Sequence, residues 1–311
     1  MQIPFVGYGP LGLALLLSGC TLTATDAVPP EQTEPPATPN EAAVATAAHA
    51  ELAKQELIYQ SYPWMDAVVH TVTVPANSGW QIDVAVAASL TPLSEWATGQ
   101  GAIAAINAGF FDPRNGLTTS FVTVQGDLMA DPRQNANLME NPALQSYLPA
   151  ILNRSEFRIY DCDGTVQYDI TAHAAAVPPA CQMTAAVGAG PQLLPTQTGY
   201  DEGFLANNDA GEIVRDALGS QSANARSAIG LKANGTVVLA IASQLPMTNR
   251  ATGLTLPEMA DFLQTLDVEQ ALNLDGGSSS GLYFEGETDL GRFDATGEAI
   301  ERPIKSILLV R

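Results

Sequence analysis

Residues 271–284 read ALNLDGGSSSGLYF. The first half alternates apolar residues with Asn273 and Asp275, which is typical of a strand that places both polar side chains on one face. Two glycines and three serines follow, and Leu282 begins a second apolar run. The pattern predicts a strand, a glycine-rich loop and another strand.

The glycine-rich loop is predicted to bind an anion. Gly276 and Gly277 can adopt backbone dihedrals that are closed to other residues, so successive N–H groups can converge on an anion. Ser278 and Ser279 add hydroxyl donors. Asp275 would lie at the mouth of the loop, and a carboxylate beside neutral donors suits chemistry on a phosphate-bearing or sugar substrate.

Two other interpretations of this loop stay open. A run of Gly and Ser is also typical of a flexible linker, although a linker between two apolar strands would need polar spacers. Residues 277–281 also match the G-x-S-x-G pattern of serine hydrolases, with Ser279 as nucleophile. That pattern requires a strand-to-helix turn and a later His, whereas all three His residues lie upstream.

The composition is strongly acidic. The chain has 33 Asp and Glu against 13 Lys and Arg, which gives a net charge of −20. Such a surface repels nucleic acid and anionic lipid headgroups, so neither is an expected partner. An anionic substrate remains compatible, because screening over roughly 8 Å lets one local Arg outweigh distant carboxylates.

The N-terminal region predicts export. Residues 1–19 combine a short apolar run with a sequence that resembles a bacterial lipobox before Cys20, so we expect a lipoprotein signal peptide and a lipidated Cys20. Residues 1–10 contain no Lys or Arg, and a buried apolar segment is the alternative. Residues 20–50 are rich in Pro, Thr and Ala and predict a disordered tether, followed by one folded domain over residues 51–311.

The remaining cysteines suit an oxidising compartment. If Cys20 carries the lipid, Cys162 and Cys181 are left as a pair that could form a disulfide. Two free buried thiols are the alternative. The Cys and His residues do not cluster at the spacing of a zinc site. No cofactor is predicted, and a requirement for a divalent cation stays open.

Local signals predict several further elements. A short helix is expected around Leu57, and Thr91 with Pro92 predicts the start of another. Asn234-Gly235 indicates a hairpin between two apolar strands, and residues 255–258 match a capping box that begins a helix.

Three more residues are candidates for the site. Asn107 ends a buried apolar strand and Asp112 follows a sharp turn, so both could bind substrate, although a turn cap needs the same residue types. Arg226 stands at the head of a strand and could bind phosphate, with a surface ion pair as the alternative.

Five ordered motifs resemble the phosphodiester glycosidase family over roughly residues 60–311, including its exported bacterial members. They are INAGFFDP at 106–113, GAGPQLL at 188–194, RSAIGLKANGTVVL at 226–239, GLTLPEMADFLQTLDVEQALNLDGGSSSGLYF at 253–284 and RPIKSILLV at 302–310. The resemblance implies one catalytic α+β domain with a mixed β-sheet core and packed helices, and cleavage of a sugar-1-phosphodiester. The residues that it places in the site are Asn107, Arg226, Asn273, Asp275, Gly276, Gly277 and Ser279. Ser278 stands where the family loop often has a third glycine.

The expected chemistry follows from the leaving group. A phosphate monoester is a stable anion, so the reaction needs mainly a carboxylate and donors that hold the phosphate. We expect Asp275 to attack the anomeric carbon or activate water, and Arg226 with the loop to hold the phosphate. Asn107 and Asn273 would orient the sugar. The alternative is a non-catalytic, membrane-anchored lipoprotein that binds a cell-envelope glycan or phosphopolymer in exopolysaccharide metabolism.

Overall fold

The computed structural model describes residues 54–248 and 250–311. The predicted signal peptide (1–19), the lipidation site Cys20 and the predicted tether (20–50) lie outside the described residues. In the part that is described, no helix is long and apolar enough to span a membrane.

Antiparallel strands dominate the described residues. The strands are β1 (Ile58–Trp64), β2 (Ala67–Val74), β3 (Ile82–Thr91), β4 (Ala104–Asn107), β5 (Val122–Val124), β6 (Asp127–Ala130), β7 (Ser155–Cys162), β8 (Thr165–Ala172), β9 (Cys181–Gly188), β10 (Gln192–Leu194), β11 (Leu205–Asn207), β12 (Ile213–Asp216), β13 (Arg226–Lys232), β14 (Val237–Ser243), β15 (Val268–Asn273), β16 (Gly281–Phe284), β17 (Glu287–Leu290) and β18 (Ile304–Val310). The α-helices are α1 (Leu93–Gly99), α2 (Ala136–Met139), α3 (Leu148–Ile151) and α4 (Leu256–Thr265). Short 3-10 turns occupy Pro132–Gln134, Pro142–Tyr147 and Gly277–Ser279.

The strands form three large sheets and one small one. The six-stranded sheet has the order β1-β2-β14-β13-β15-β10, and the two five-stranded sheets have the orders β17-β16-β4-β18-β3 and β6-β5-β9-β7-β8. Strands β11 and β12 pair separately. The largest cluster of buried apolar side chains draws on all three large sheets, so the core lies between sheets.

Helix α4 covers the outer face of the six-stranded sheet. Its predicted capping box is confirmed: the Thr255 hydroxyl accepts from Glu258 N, and the Glu258 carboxylate accepts from Thr255 N. Phe262 is buried and lies 5.4 Å, centroid to centroid, from the rings of Tyr62 and Trp64 on β1. The helix therefore seals an apolar face that would otherwise be open.

Several sequence expectations differ from the structure. The expectation of packed helices overstates the helical content, because the described residues contain few helices and strands dominate. The described strand pairs of the large sheets are antiparallel, so the core is not a mixed sheet. The helix expected near Leu57 is wrong, since β1 begins at Ile58 and pairs with β2. Pro92 and not Thr91 occupies the N-cap position of helix α1, where no side chain caps the helix, and the Thr91 hydroxyl donates to Ser89 O.

The topology brings three strand ends together. Strand β15 pairs with β13, whereas β16 pairs with β4 in another sheet, so the loop between β15 and β16 crosses from sheet to sheet. Asn273 at the end of β15 is opposite Ala228 near the start of β13. Asn107 ends β4 and is opposite Ile307 on β18. The glycine-rich loop thus lies where β4, β13 and β15 meet.

The predicted disulfide is confirmed. Cys162 and Cys181 are directly opposite on β7 and β9, with 4.1 Å between their Cα atoms. The bridge joins residues separated by 19 positions and closes the loop that contains β8. Such bonds are typical of proteins that fold in oxidising compartments.

Removing this bridge is expected to lower stability without changing the fold. In a double Cys162→Ala, Cys181→Ala variant, the free energy of unfolding should fall by about 3 kcal/mol. Without the crosslink, a loop of this length has more conformational entropy in the unfolded chain, which favours unfolding. Urea denaturation with and without reductant measures the change. The wild type should become less stable in reductant and the variant should not; equal stability of the two oxidised proteins would contradict the bridge's contribution.

Candidate active site

The Asn107 side chain braces the glycine-rich loop. Its Nδ2 donates to the backbone oxygen of Asp275 at 2.5 Å, while its Oδ1 accepts from Ser227 Oγ at 2.7 Å and from Gly281 N at 3.1 Å. The residue is only 1% exposed. One amide thus ties β4 to β13 and to both ends of the loop, and its polar atoms face protein partners instead of solvent.

Backbone hydrogen bonds fix the loop further. Asp275 N donates to Ala108 O and Gly277 N donates to Ala225 O, both at 2.8 Å. Gly277 has φ +61, which favours glycine, and a Cβ at Gly276 would lie 3.0 Å from Ala225 O. Ser279 N and Ser280 N donate to carbonyls within the loop. Most N–H groups of the predicted anion nest are therefore occupied by backbone carbonyls.

Asp275 is the perturbed carboxyl group of this site. Burial among protein atoms raises its pKa from 3.8 to about 6, although the Ser279 hydroxyl, the charge of Arg302 and the N–H of Gly276 oppose the shift. The residue keeps partial contact with solvent. Its pKa is thus close to neutral, where a carboxyl group can act as a base or a nucleophile.

Two serine hydroxyls of the loop that follows Asp275 have no hydrogen-bond partner among the described residues. Ser279 lies close enough to favour the ionised carboxylate, yet no described residue completes a well-aligned hydrogen bond with its Oγ, and the same holds for Ser280. Both hydroxyls are buried. A buried hydroxyl without a partner costs free energy, so an acceptor oxygen that reached either hydroxyl would recover that cost.

Arg302 is the cation of this site, and the sequence interpretation did not assign it. Its Nη1 donates to Ser278 Oγ at 3.3 Å, and its Cζ lies 5.1 Å from the centroid of the Phe111 ring. Its charge favours the ionised form of Asp275. The RPIKSILLV motif contains this residue, but no local pattern indicates that it reaches a loop more than twenty positions earlier.

The Arg226 guanidinium, which was predicted to bind phosphate, instead bonds backbone carbonyls of the protein. It is 3% exposed, and its guanidinium makes four hydrogen bonds, all to backbone carbonyls of Leu218, Gly219, Ser222 and Leu254. Burial lowers its pKa to about 10. The predicted ion pair is also absent among the described residues. Arg226 holds the segment that precedes β13, and its donors are largely used.

The Asn273 side chain bonds the segment around Gly190. Its Nδ2 donates to Gly190 O at 2.8 Å, and its Oδ1 is buried without a partner in the described part of the chain. Like the two serine hydroxyls, this acceptor is available to a ligand, in this case to a hydroxyl donor.

Asp112 stabilises the turn after β4. Its carboxylate accepts from Arg114 Nε at 3.1 Å, Arg114 Nη2 at 3.0 Å and Asn137 Nδ2 at 2.8 Å. The bonds from Arg114 and Asn137 lower its pKa to about 2. The structure does not bring Asp112 into contact with Asp275, and the turn-cap alternative describes its geometry.

Comparisons with known proteins identify the family of this chain. The profile of the phosphodiester glycosidase family matches residues 100–311. The chain belongs to this family. The resemblance inferred from the five motifs is therefore confirmed.

Solved structures share the fold of this phosphodiester glycosidase family member. A hypothetical protein from Synechocystis matches with a TM-score of 0.54 and 18% identity, over 82% of this chain and 61% of its own. The catalytic domain of zebrafish N-acetylglucosamine-1-phosphodiester alpha-N-acetylglucosaminidase, auto-inhibited by its pro-peptide, matches with a TM-score of 0.56 and 15% identity, over 85% of both chains. A search of curated proteins finds no match.

A large cavity lies away from the loop. Its volume is about 720 Å³, and its walls include Trp80, Tyr168, Lys232 and Gln270. Lys232 is at the end of β13 opposite Arg226, and Gln270 precedes Asn273 on β15, so the cavity lies toward the ends of these strands that are farther from Asp275. Asp275 is nevertheless the stronger candidate for a reactive group, because its carboxyl is desolvated and lies close to the Ser279 hydroxyl.

Neither a serine hydrolase nor a metal centre is indicated by the described residues. A 3-10 turn and strand β16, and not a helix, follow Gly276, while His70 pairs with Tyr59 and His173 with Glu156. No group of three or more His, Cys, Asp or Glu residues with metal-binding geometry occurs in residues 54–248 and 250–311.

Asp275→Asn is expected to stabilise the folded protein at neutral pH. Since the pKa of Asp275 is raised from 3.8 to about 6, the wild type loses stability as the pH rises through this range, and the amide avoids a loss of up to about 3 kcal/mol. Urea denaturation at pH 7 should show the gain, and at pH 4 it should nearly vanish. Asp261→Asn, the same change at an exposed position of α4, is the control and should show no gain. A variant that is equally or less stable than the wild type at pH 7 would contradict the desolvation of Asp275.

Proposed function

We propose that this protein hydrolyses a sugar-1-phosphodiester with Asp275 as its reactive carboxylate. The observation that carries the proposal is that one braced loop holds a desolvated carboxyl and two serine hydroxyls without partners among the described residues, with the guanidinium of Arg302 bonded to Ser278 of the same loop. Membership of the phosphodiester glycosidase family supports the same reaction class.

In this proposal, Asp275 acts in its ionised form. Above about pH 6 its carboxylate attacks the anomeric carbon or removes a proton from the attacking water. The glycosidic bond to the phosphate oxygen breaks as the new bond to the anomeric carbon forms, and its electron pair leaves with the phosphate monoester. Where the carboxylate is the nucleophile, water then hydrolyses the glycosyl ester and releases Asp275. That product is already a stable anion, so strong help from a general acid is less necessary than for an ordinary glycoside.

The donors of the loop hold the phosphate. Arg302 supplies the positive charge, and the hydroxyls of Ser278, Ser279 and Ser280 supply hydrogen bonds to its oxygens. The free Oδ1 of Asn273 accepts from a sugar hydroxyl. Donors that are already fixed by the fold need little reorganisation when charge develops on the leaving group.

Arg226 and Asn107 act as positioning residues in this scheme. Their hydrogen bonds to backbone carbonyls and to the loop fix the backbone on which Asp275 and the serines stand. Gly276 and Gly277 allow that backbone to pass close to Ala225.

The protein would act outside the cytoplasm. The disulfide between Cys162 and Cys181 supports this location. A lipid anchor on Cys20 would then hold the domain at a membrane, through the tether proposed for residues 20–50.

Asp275→Asn is expected to lower kcat on a sugar-1-phosphodiester by at least about a hundredfold, because it removes the reacting group. Release of reducing sugar measures the reaction, with Asp261→Asn as the control that should keep wild-type activity. For the wild type, kcat/KM should rise with pH through about 6, as the carboxyl ionises.

Two outcomes would contradict this assignment. Wild-type turnover by Asp275→Asn would exclude the carboxylate as the reacting group. Saturable binding of sugar phosphodiesters by the wild type without any turnover would instead support a non-catalytic lipoprotein that binds a glycan or phosphopolymer.

A further inference from the structure

Two arginines from distant parts of the chain are anchored on the same short segment, residues 202–203. Arg154 Nε donates to Glu202 O at 3.2 Å, and Arg215 Nε donates to Gly203 O at 2.8 Å. The carbonyls belong to consecutive residues, so the two guanidinium groups are anchored next to each other. Burial lowers the pKa of Arg154, the charge of the Glu202 carboxylate opposes this shift, and the charge of Arg215 adds to it, so the two guanidinium groups are close to each other.

Aromatic rings fix the orientation of both guanidinium groups. The Cζ of Arg154 lies 3.6 Å from the centroid of Phe204, and the Cζ of Arg215 lies 4.7 Å from the centroid of Tyr147. A guanidinium stacked on a ring and held at Nε keeps its two terminal nitrogens pointing away from the anchor. Both side chains are therefore held in place before any ligand arrives.

Within residues 54–248 and 250–311, the terminal nitrogens of this pair have no protein partner. Neither Arg154 nor Arg215 forms an ion pair within 4.0 Å or a hydrogen bond through Nη1 or Nη2 in the described part of the chain. The neighbouring carboxylate of Glu202 is itself occupied, because it accepts from Ser155, Thr198 and Gln192. Placing two positive charges together costs free energy. The chain has 33 carboxylates that could have neutralised this pair, and yet none of the described ones forms an ion pair with it.

The pair belongs to the same end of the sheets as Asp275. The Phe204 ring, on which the Arg154 guanidinium stacks, packs against Gly190. A Cβ atom added to Gly190 would lie 3.0 Å from this ring. Gly190 exchanges hydrogen bonds with Asn273, two residues before Asp275. Phe110 lies 5.8 Å from Phe204, centroid to centroid, and follows the strand that contains Asn107. Arg154 is thus linked to the wall of the candidate active site through Phe204 and Gly190, and Arg215 is anchored on the residue before Phe204.

We propose that Arg154 and Arg215 form a binding site for a phosphoryl group of the substrate, separate from the phosphate at Arg302. A phosphoryl group is tetrahedral and offers oxygens in several directions, so it can accept from two guanidinium forks at once, whereas a planar carboxylate matches one fork. The substrate class is then a sugar-1-phosphodiester whose leaving portion carries a second phosphoryl group. This assignment to the substrate rests on the proposed function, while the binding of the anion does not.

Binding is tested first without catalysis, with inorganic phosphate as the probe. In the wild type, phosphate should shift the Nε–H NMR signals of Arg154 and Arg215 saturably, and sodium acetate at equal ionic strength should not. Arg215→Gln should weaken phosphate binding at least about tenfold, since it removes a charge-assisted pair of hydrogen bonds. Arg133→Gln, which changes an arginine already paired with Asp131, is the matched control and should bind phosphate as the wild type does.

Two results of this titration would overturn the site. They are the absence of a saturable shift in the wild type and equal phosphate affinity in Arg215→Gln. Arg215 is partly exposed, so its variant is expected to fold, and thermal unfolding checks this. Arg215→Lys keeps the charge without the fork and should bind phosphate with an affinity between those of the wild type and Arg215→Gln.

Kinetics then test the role in the substrate. Arg215→Gln should raise KM for a diester whose leaving portion carries a second phosphoryl group, with kcat nearly unchanged, and should leave the KM of a methyl phosphodiester of the same sugar unaltered. Equal effects on both substrates would overturn the role. Phosphate binding without hydrolysis of either substrate would mean that the proposed function fails and the anion site stands.

Discussion

The hydrogen bonds of one buried amide hold the candidate site together. Asn107 donates to the backbone of Asp275 and accepts from Ser227 and Gly281, so strands from two different sheets and both ends of the glycine-rich loop share a single side chain. A loop that crosses between sheets has no ladder of its own, and its conformation therefore depends on such cross-links. Without this amide, two backbone groups and a hydroxyl would be buried unpaired, each at a cost of about 1–3 kcal/mol.

The cations of this acidic protein divide into distinct roles. Arg226 is buried and spends its donors on backbone carbonyls, so it fixes the chain before β13. Arg302 lies beside Asp275 and Ser278, where its charge can reach a ligand. Arg154 and Arg215 stay unpaired among the described residues and are oriented by aromatic rings. An arginine's chemistry is thus decided by what already occupies its N–H groups, which sequence position alone does not show.

Local patterns predicted local structure well. The alternation before Asp275, the capping box at Thr255 and the hairpin at Asn234-Gly235 each depend on residues close in sequence, and the structure confirms them. The partners of Arg226 and Arg302 depend on contacts between distant segments, which no short pattern encodes. The edge strand β1 was missed because its residues are largely exposed, and its pairing with β2 overrides the weak helical pattern around Leu57. The nest of N–H groups was expected from glycine and serine content, but neighbouring carbonyls occupy most of those donors.

The central claim is that the fold desolvates one carboxyl group beside unpaired donors and so brings its pKa close to neutral. Carbon-13 NMR of the aspartate carboxyl signals, with Asp275→Asn to assign the resonance, measures that pKa directly. The account predicts a titration midpoint near pH 6 for Asp275. A midpoint near 3.8, the ordinary value for this side chain, would contradict it.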